Sequence, residues 1–199
     1  MIRAVVFDIG GVVLKSKTFH SLTNEYARVM SREEGKVYEA FMKYWNMWKL
    51  DKINEREFFE NILKDMEADY DRERLREIMY NFVGPDRDII RLIEKLRKRY
   101  KVFSLTNHVR EFFAFLDKKH GLEKNFDRIF KSYETRLAKP DAEFFRHMLS
   151  EIGLKPEECV FIDDKGENVE AAKKLGIKAI LHENTKRTEK ELRKLGLDF

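Results

Sequence analysis

The chain has 199 residues, 40 Lys and Arg against 36 Asp and Glu for a formal net charge of +4, and 43% apolar residues. This is enough for one well-packed domain, or a domain with a smaller insertion, and cramped for two independent ones. The composition excludes extended disorder, the apolar runs fall short of the roughly 18 residues a membrane-spanning helix needs, and one cysteine, Cys159, excludes an internal disulfide or a cysteine-based zinc cluster.

In chain order, the first element is the apolar run AVVF at 4–7, which reads as a buried parallel strand ending at Asp8 and followed by Gly10 and Gly11. Residues 15–85 then show helix patterns in succession and no strand. Ser31 and Glu34 stand at capping-box spacing, as do Asn54 and Glu57, which precede a helical face of Phe58, Phe59, Ile62, Leu63 and Met66. Leu75, Ile78, Met79 and Phe82 predict a further helix, ended by Gly84–Pro85. After it, Ile89, Ile93, Leu96 and Tyr100 repeat at helical spacing before the strand-like KVFSL that leads to Thr106. DRIFKS at 127–132 reads as a third strand, CVFI before Asp163 as a fourth and KAIL at 178–181 as a fifth. Pro140 fixes a turn and starts a helix bearing Phe144, Phe145 and Met148; a helix with Val169, Ala172 and Leu175 closes at Gly176.

Strands alternating with helices predict an α/β fold, a doubly wound, Rossmann-like parallel sheet whose crevice lies outside the carboxyl ends of its strands. Residues 1–14 and 86–199 are expected to form this core, and residues 15–85 a helical cap domain over the crevice. Asp8, Thr106 and Asp163 all fall at strand ends.

Several residues there carry chemistry, each with a plain alternative. FIDD at 161–164 sets two carboxylates side by side, and with Asp8 they make an oxygen-rich site suited to Mg²⁺; equally, one acid caps the next helix and the other is solvated. SLTN at 104–107 offers the Thr106 hydroxyl and the Asn107 amide to an anion, or simply a cap. Lys139, before Pro140, is by itself an ordinary surface cation.

The order of these features is what is specific. Asp with a Gly turn after the first strand, Thr after the second, Lys-Pro at a helix start and Asp-Asp after the next strand together resemble the haloacid dehalogenase-like (HAD) hydrolase superfamily along essentially the whole chain, and the insertion sits where that family carries its helical C1-type cap. The resemblance implies a Mg²⁺-dependent phosphomonoester hydrolase acting on a small phosphorylated metabolite, a sugar phosphate among the candidates, through an aspartyl-phosphate intermediate. It implies Asp8 as nucleophile, Thr106 and Lys139 as phosphate ligands, Asp164 as a direct metal ligand with Asp163 assisting through water, and Asn168 bracing Lys139 or the acidic loop. The Gly10 carbonyl would be a main-chain metal ligand, and Gly10 and Gly11 would let backbone N–H groups approach the phosphate.

The sequence departs from the usual phosphatase pattern at Gly10, where an acid would protonate the leaving group and activate water, worth roughly 10²- to 10⁴-fold in rate. His108 or His20 substitutes, metal-bound water suffices with slow turnover, or the chain is a catalytically weak phospho-ligand-binding protein. A metal-independent 2-haloacid dehalogenase also tolerates a non-acid at position 10, but the Asp163–Asp164 pair favours phosphate.

In the cap, Trp45 and Trp48 share a helix face and are candidates to stack on a substrate, or to pack the cap's own core, and Lys15 and Lys17 can meet an anion. Charges of both signs are interspersed, which predicts no nucleic-acid partner, and the N-terminal segment reads as cytoplasmic. Glutamine is absent while Lys, Arg and Glu abound, a bias that fits the ion-pair networks of heat-adapted proteins. The sequence leaves the oligomeric state open.

Overall fold

The computed structural model describes residues 1–16 and 18–199. Its elements in chain order begin with β1 (Ala4–Phe7), β2 (Leu14–Ser16), α1 (Phe19–Met30), α2 (Glu34–Trp48), α3 (Glu55–Asp65), α4 (Arg72–Tyr80) and β3 (Val83–Pro85). There follow α5 (Arg87–Leu96), β4 (Lys101–Thr106), α6 (Arg110–His120), β5 (Arg128–Lys131) and α7 (Ser132–Thr135). The chain closes with α8 (Ala142–Ile152), β6 (Cys159–Asp163), α9 (Gly166–Lys174), β7 (Lys178–Leu181) and α10 (Thr185–Lys194).

The main sheet is parallel, in the order β5-β4-β1-β6-β7. The chain builds outward from β1 through β4 and β5, then returns to the other side of β1 for β6 and β7. Strand order therefore reverses at β1, and a ligand crevice opens beyond the carboxyl ends at such a reversal. In β1, Val5 and Phe7 pack into a cluster with Ile89, Ile93 and Leu96 of α5, while Ala4 and Val6 pack with Phe144, Phe145 and Met148 of α8. This alternation, the period of two along a strand, explains why β1 is apolar throughout: both its faces are covered. Cys159 is buried at the start of β6, and burial pushes its thiol up to about 12, as expected of a small core residue.

The insertion is helical, with two corrections to the sequence reading. Residues 15–85 do contain strand: β2 and β3 pair antiparallel, with Leu14 opposite Pro85 and Ser16 opposite Val83. Three-residue strands are too short to show a period. Ser31, expected to open a helix, closes one: at φ 54° it is the left-handed C-cap of α1, its N–H donating to Ala27 O and Arg28 O, and α2 starts after Glu33 without a side-chain cap. The Asn54–Glu57 capping box is present at α3. In the core, the helix after Lys139 begins at Ala142 with Asp141 as its cap, one residue beyond Pro140.

Polar contacts tie the insertion to the core where α2 ends. Trp48 Nε1 donates to Glu111 Oε2 at 3.0 Å, Ser132 Oγ donates to Lys49 O at 2.6 Å, and Arg110 pairs with Asp51 at 3.2 Å. Among the described residues no helix is long and apolar enough to cross a membrane.

Candidate active site

Asp8 is the first residue past β1, and its N–H donates to Ile162 O at 2.8 Å, so the edge of β6 fixes its backbone. Its Oδ1 accepts the Ile9 N–H at 2.7 Å and lies 2.9 Å from Lys139 Nζ. Lys139 Nζ also donates to Asp163 Oδ2 at 2.7 Å, so one buried ammonium bridges two buried carboxylates. Burial works against the Lys139 charge, but Asp8 and Asp163 outweigh it and its pKa is raised. The Asp8 carboxyl is pushed up to about 6, by burial first and by repulsion from Asp163 and Asp164, against the opposing pull of Lys139.

Other side chains hold these groups. Asn107 Oδ1 accepts the Lys139 N–H and Asn107 Nδ2 donates to the Lys139 carbonyl, each at 2.8 Å, which fixes the turn that carries the lysine. Asn168 Nδ2 donates to both oxygens of Asp163 at 3.0 Å, and the Lys165 N–H donates to Asp163 Oδ1 at 2.8 Å. Asp163 thus has protein partners on both oxygens and directs its charge at Lys139. Asp164, its neighbour, is exposed on the side of a cavity, and partial burial together with Asp163 raises its pKa.

Gly11 lies directly against the Asp164 carboxylate. A Cβ at position 11 would lie 2.2 Å from Asp164 Oδ2, and the backbone there has φ +80°, a conformation that L side chains rarely adopt. Gly11→Ala is expected to destabilise the protein by about 1–2 kcal/mol from backbone strain and to displace Asp164. Thermal melts should then show a lowered melting temperature and no response to Mg²⁺; an unchanged Mg²⁺ response would show that Asp164 does not depend on this fit.

Carboxylate oxygens of Asp8, Asp163 and Asp164 lie within 4.8 Å of one another. Three hard oxygen donors face one ammonium, and burial first, with mutual repulsion adding to it, raises the pKa values of Asp8 and Asp164. That donor set fits a divalent cation such as Mg²⁺.

These groups form the floor of a cavity of about 510 Å³ between the core and the insertion, lined there by Asp8, Gly10, Gly11, Lys139 and Asp164. Asn107 and His108 line it beside them. Thr106 is fully enclosed beneath that surface, and its Oγ1 has no hydrogen-bond partner among the described residues. Ser104 Oγ on the same strand is likewise without a partner, so the enclosed Thr106 hydroxyl does not by itself mark a ligand.

The cap residues divide differently from the sequence reading. Trp45 lines the cavity, whereas Trp48 does not: it is 1% exposed, packs on Phe58 and Phe59 of α3 and donates its indole N–H to Glu111. A three-residue step turns a side chain about 60° round a helix, which here separates a cavity wall from a core. Lys15 is paired with Asp86 at 2.9 Å, and Lys17 lies outside the described residues. His108 is buried among Trp45, Phe112 and Phe113, accepts the Val109 N–H on Nδ1, and burial lowers its pKa to about 4, so near pH 7 it is the neutral imidazole, a far weaker acid than the imidazolium. His20 is exposed at the rim and stacks on Tyr38 at 3.9 Å.

Sequence reasoning missed Lys49, which is half-buried in the cavity wall, its pKa lowered by burial and by Lys165. It belongs to the same KYWNMWKLDK stretch as the tryptophans, but nothing in its spacing separates it from the surface lysines.

Residues 2–176 match the family model of haloacid dehalogenase-like hydrolases. The chain is 26% identical over 197 residues to a sesquiterpene phosphatase of Aspergillus oryzae, covering 97% of this chain and 96% of that protein. It is 26% identical over 208 residues to a D-ribitol-5-phosphate phosphatase of Bacteroides thetaiotaomicron, covering 92% and 93%. Other curated relatives are longer, and the chain spans 36% of one and 62% of another. In fold it is similar to a HAD family enzyme of Bacteroides thetaiotaomicron solved as a magnesium complex, with a TM-score of 0.80 at 23% identity over 91% of this chain and 93% of that one. With a family match that runs from β1 through α9 and takes in Asp8, Lys139, Asp163 and Asp164, the chain belongs to the haloacid dehalogenase-like hydrolases.

Proposed function

We propose that the protein is a Mg²⁺-dependent phosphomonoester hydrolase acting on a small phosphorylated metabolite through an aspartyl-phosphate on Asp8. One observation carries this: the buried Asp8–Lys139–Asp163 chain, with contacts of 2.9 and 2.7 Å, stands at the floor of a cavity and beside Asp164. A charge network of this kind is costly to bury and has no packing role, whereas a nucleophile with a fixed counter-cation makes use of it.

Asp8 Oδ1 is held by Ile9 and Lys139, which leaves Oδ2 to attack phosphorus. The new O–P bond forms as the ester oxygen departs with its electron pair, and water then cleaves the acyl phosphate. Lys139 neutralises the charge that Asp8 and the phosphoryl oxygens share, Asn107 and Asp163 keep it in place, and the Thr106 hydroxyl donates to a phosphoryl oxygen. Asp8, Asp164 and the Gly10 carbonyl would hold Mg²⁺, which when bound shields the anionic nucleophile and phosphate from each other. Asp163 supports the lysine more than the metal, since its oxygens are already engaged. With glycine at position 10 and His108 neutral, the leaving oxygen takes its proton from water, and turnover is slow.

The two relatives named above act on a sesquiterpene and a ribitol phosphate by their names, which supports phosphate monoesters as the substrate class and leaves a sugar phosphate within it. Residues 15–85 act as the cap that encloses the substrate and 1–14 with 86–199 as the catalytic core. Phosphate release from p-nitrophenyl phosphate and a panel of phosphate monoesters, with Mg²⁺ and with EDTA, tests the proposal. Release that persists in EDTA would remove the metal from it, and no release by folded protein would remove the phosphatase.

Metal binding has its own readout. Asp8 has its folded-state pKa raised from 3.8 to about 6, so its contribution favours the folded state below pH 3.8 and is lost as pH rises through about 6. Mg²⁺ is therefore expected to raise the melting temperature more at pH 7.5 than at pH 5, where protons compete for the same oxygens. At a hundredfold excess over Kd the gain is about 2.7 kcal/mol, or roughly 5–11 °C. A shift of equal size at both pH values would place the cation elsewhere.

A further inference from the structure

Above its charged floor the cavity changes character. Its enclosed wall is built from Leu22 of α1, Trp45 of α2, Met79 of α4, Phe82 just beyond α4, and Phe112 and Leu116 of α6. Five of these six are buried in the fold, and only the Trp45 indole carries a hydrogen-bonding atom. Most polar lining residues lie elsewhere: Thr18, His20, Asn46, Lys165 and Glu167 are exposed, and Asn107, His108 and Asn168 flank the charged floor, while the half-buried Tyr38 and Lys49 are the polar members of the wall itself.

A space of about 510 Å³ is far larger than the voids a native core leaves, and it falls within the range of small-molecule sites. An apolar wall of this kind is poorly matched to a polyol. Each hydroxyl moved from water to a place without a partner lowers affinity by roughly fivefold to a hundredfold, and a sugar brings several. An aliphatic or aromatic group gains instead.

We infer that the alcohol part of the substrate is apolar: the protein takes a phosphate monoester whose hydrocarbon chain or ring lies along Leu22, Met79, Phe82, Phe112 and Leu116 while its phosphate meets Asp8 and Lys139. This deepens the phosphomonoesterase proposal and rests on it for the role of the floor.

The test uses the whole protein with Mg²⁺ and two series of ligands. Alkylphosphonates from ethyl to octyl, which cannot be hydrolysed at the C–P bond by this chemistry, are titrated by calorimetry; alkyl phosphates of the same lengths, glycerol 3-phosphate and glucose 6-phosphate are assayed for phosphate release. The expected result is a Kd that falls about threefold to fourfold per methylene, with kcat/KM rising in parallel and the two polyol phosphates poor. Phe82→Asp, at a half-buried wall position, should flatten that dependence on chain length. A flat series, no binding at any length, or glucose 6-phosphate handled better than hexyl phosphate would overturn the inference. Good turnover of polyol phosphates alongside a flat alkyl series would do so while leaving the phosphomonoesterase standing. Conversely, chain-length-dependent phosphonate binding without any phosphate release would keep the apolar site and sink the phosphomonoesterase.

Discussion

Asp8→Asn is expected to reduce phosphate release by about 10⁴- to 10⁶-fold while the protein stays folded. The substitution keeps the shape and the Oδ1 acceptor that Ile9 and Lys139 use, but an amide oxygen cannot form a stable acyl phosphate under these conditions. It also removes a charge that burial and two nearby acids already disfavour, so the metal-free variant should melt close to the wild type. Lys139 keeps its 2.7 Å partner Asp163, which is why this variant is cleaner than any change at Lys139: deleting the lysine strands two buried carboxylates and costs roughly 3–5 kcal/mol. Phosphate release and a thermal melt on one preparation decide the matter. A folded Asp8→Asn variant retaining more than a tenth of the activity would exclude Asp8 as the nucleophile.

Gly10→Asp should move the rate the other way. A Cβ built at Gly10 meets nothing within 4 Å, unlike the one at Gly11, and Gly10 is not among the residues with positive φ, so nothing in the packing demands glycine there. If the proton delivered to the leaving oxygen limits turnover, a carboxyl at this position should raise kcat by about 10²- to 10⁴-fold for alkyl esters. It should do far less for p-nitrophenyl phosphate, whose leaving group needs no proton. Comparing the two substrates separates acid catalysis from a general change in the site. Equal changes on both, or none on either in a folded variant, would mean that chemistry at the leaving oxygen is not the slow step.

The sequence located the five strands of the main sheet because each is a short apolar run bounded by polar residues, and it missed β2 and β3, whose three residues each show no such run. The acidic and basic residues of the site were legible through their positions at strand ends. What was illegible has a common cause. Ser31 looks like an N-cap from its spacing to Glu34, yet the chain direction after Met30 makes it a left-handed C-cap. Trp45 and Trp48 are equivalent in a helical pattern, and only the packing of α3 against α2 decides which one is core. Lys15 was a candidate anion ligand until Asp86, 71 positions on, is seen 2.9 Å away.

By itself, then, the sequence determined the α/β alternation, the helical insertion after β1 and the set of charged residues, since these follow from local apolar patterning and from which side chains end which strand. The tertiary structure alone decided how the charges divide their work. Parallel pairing on either side of β1 brings Asp8 within 2.9 Å of Lys139, more than a hundred positions on, while Asp163 is tied to Lys139 and Asn168 and Asp164 is left facing the cavity over Gly11. Whether a carboxylate orients a lysine or faces a ligand depends on such distances and on burial, and neither is written in the identity of two adjacent aspartates.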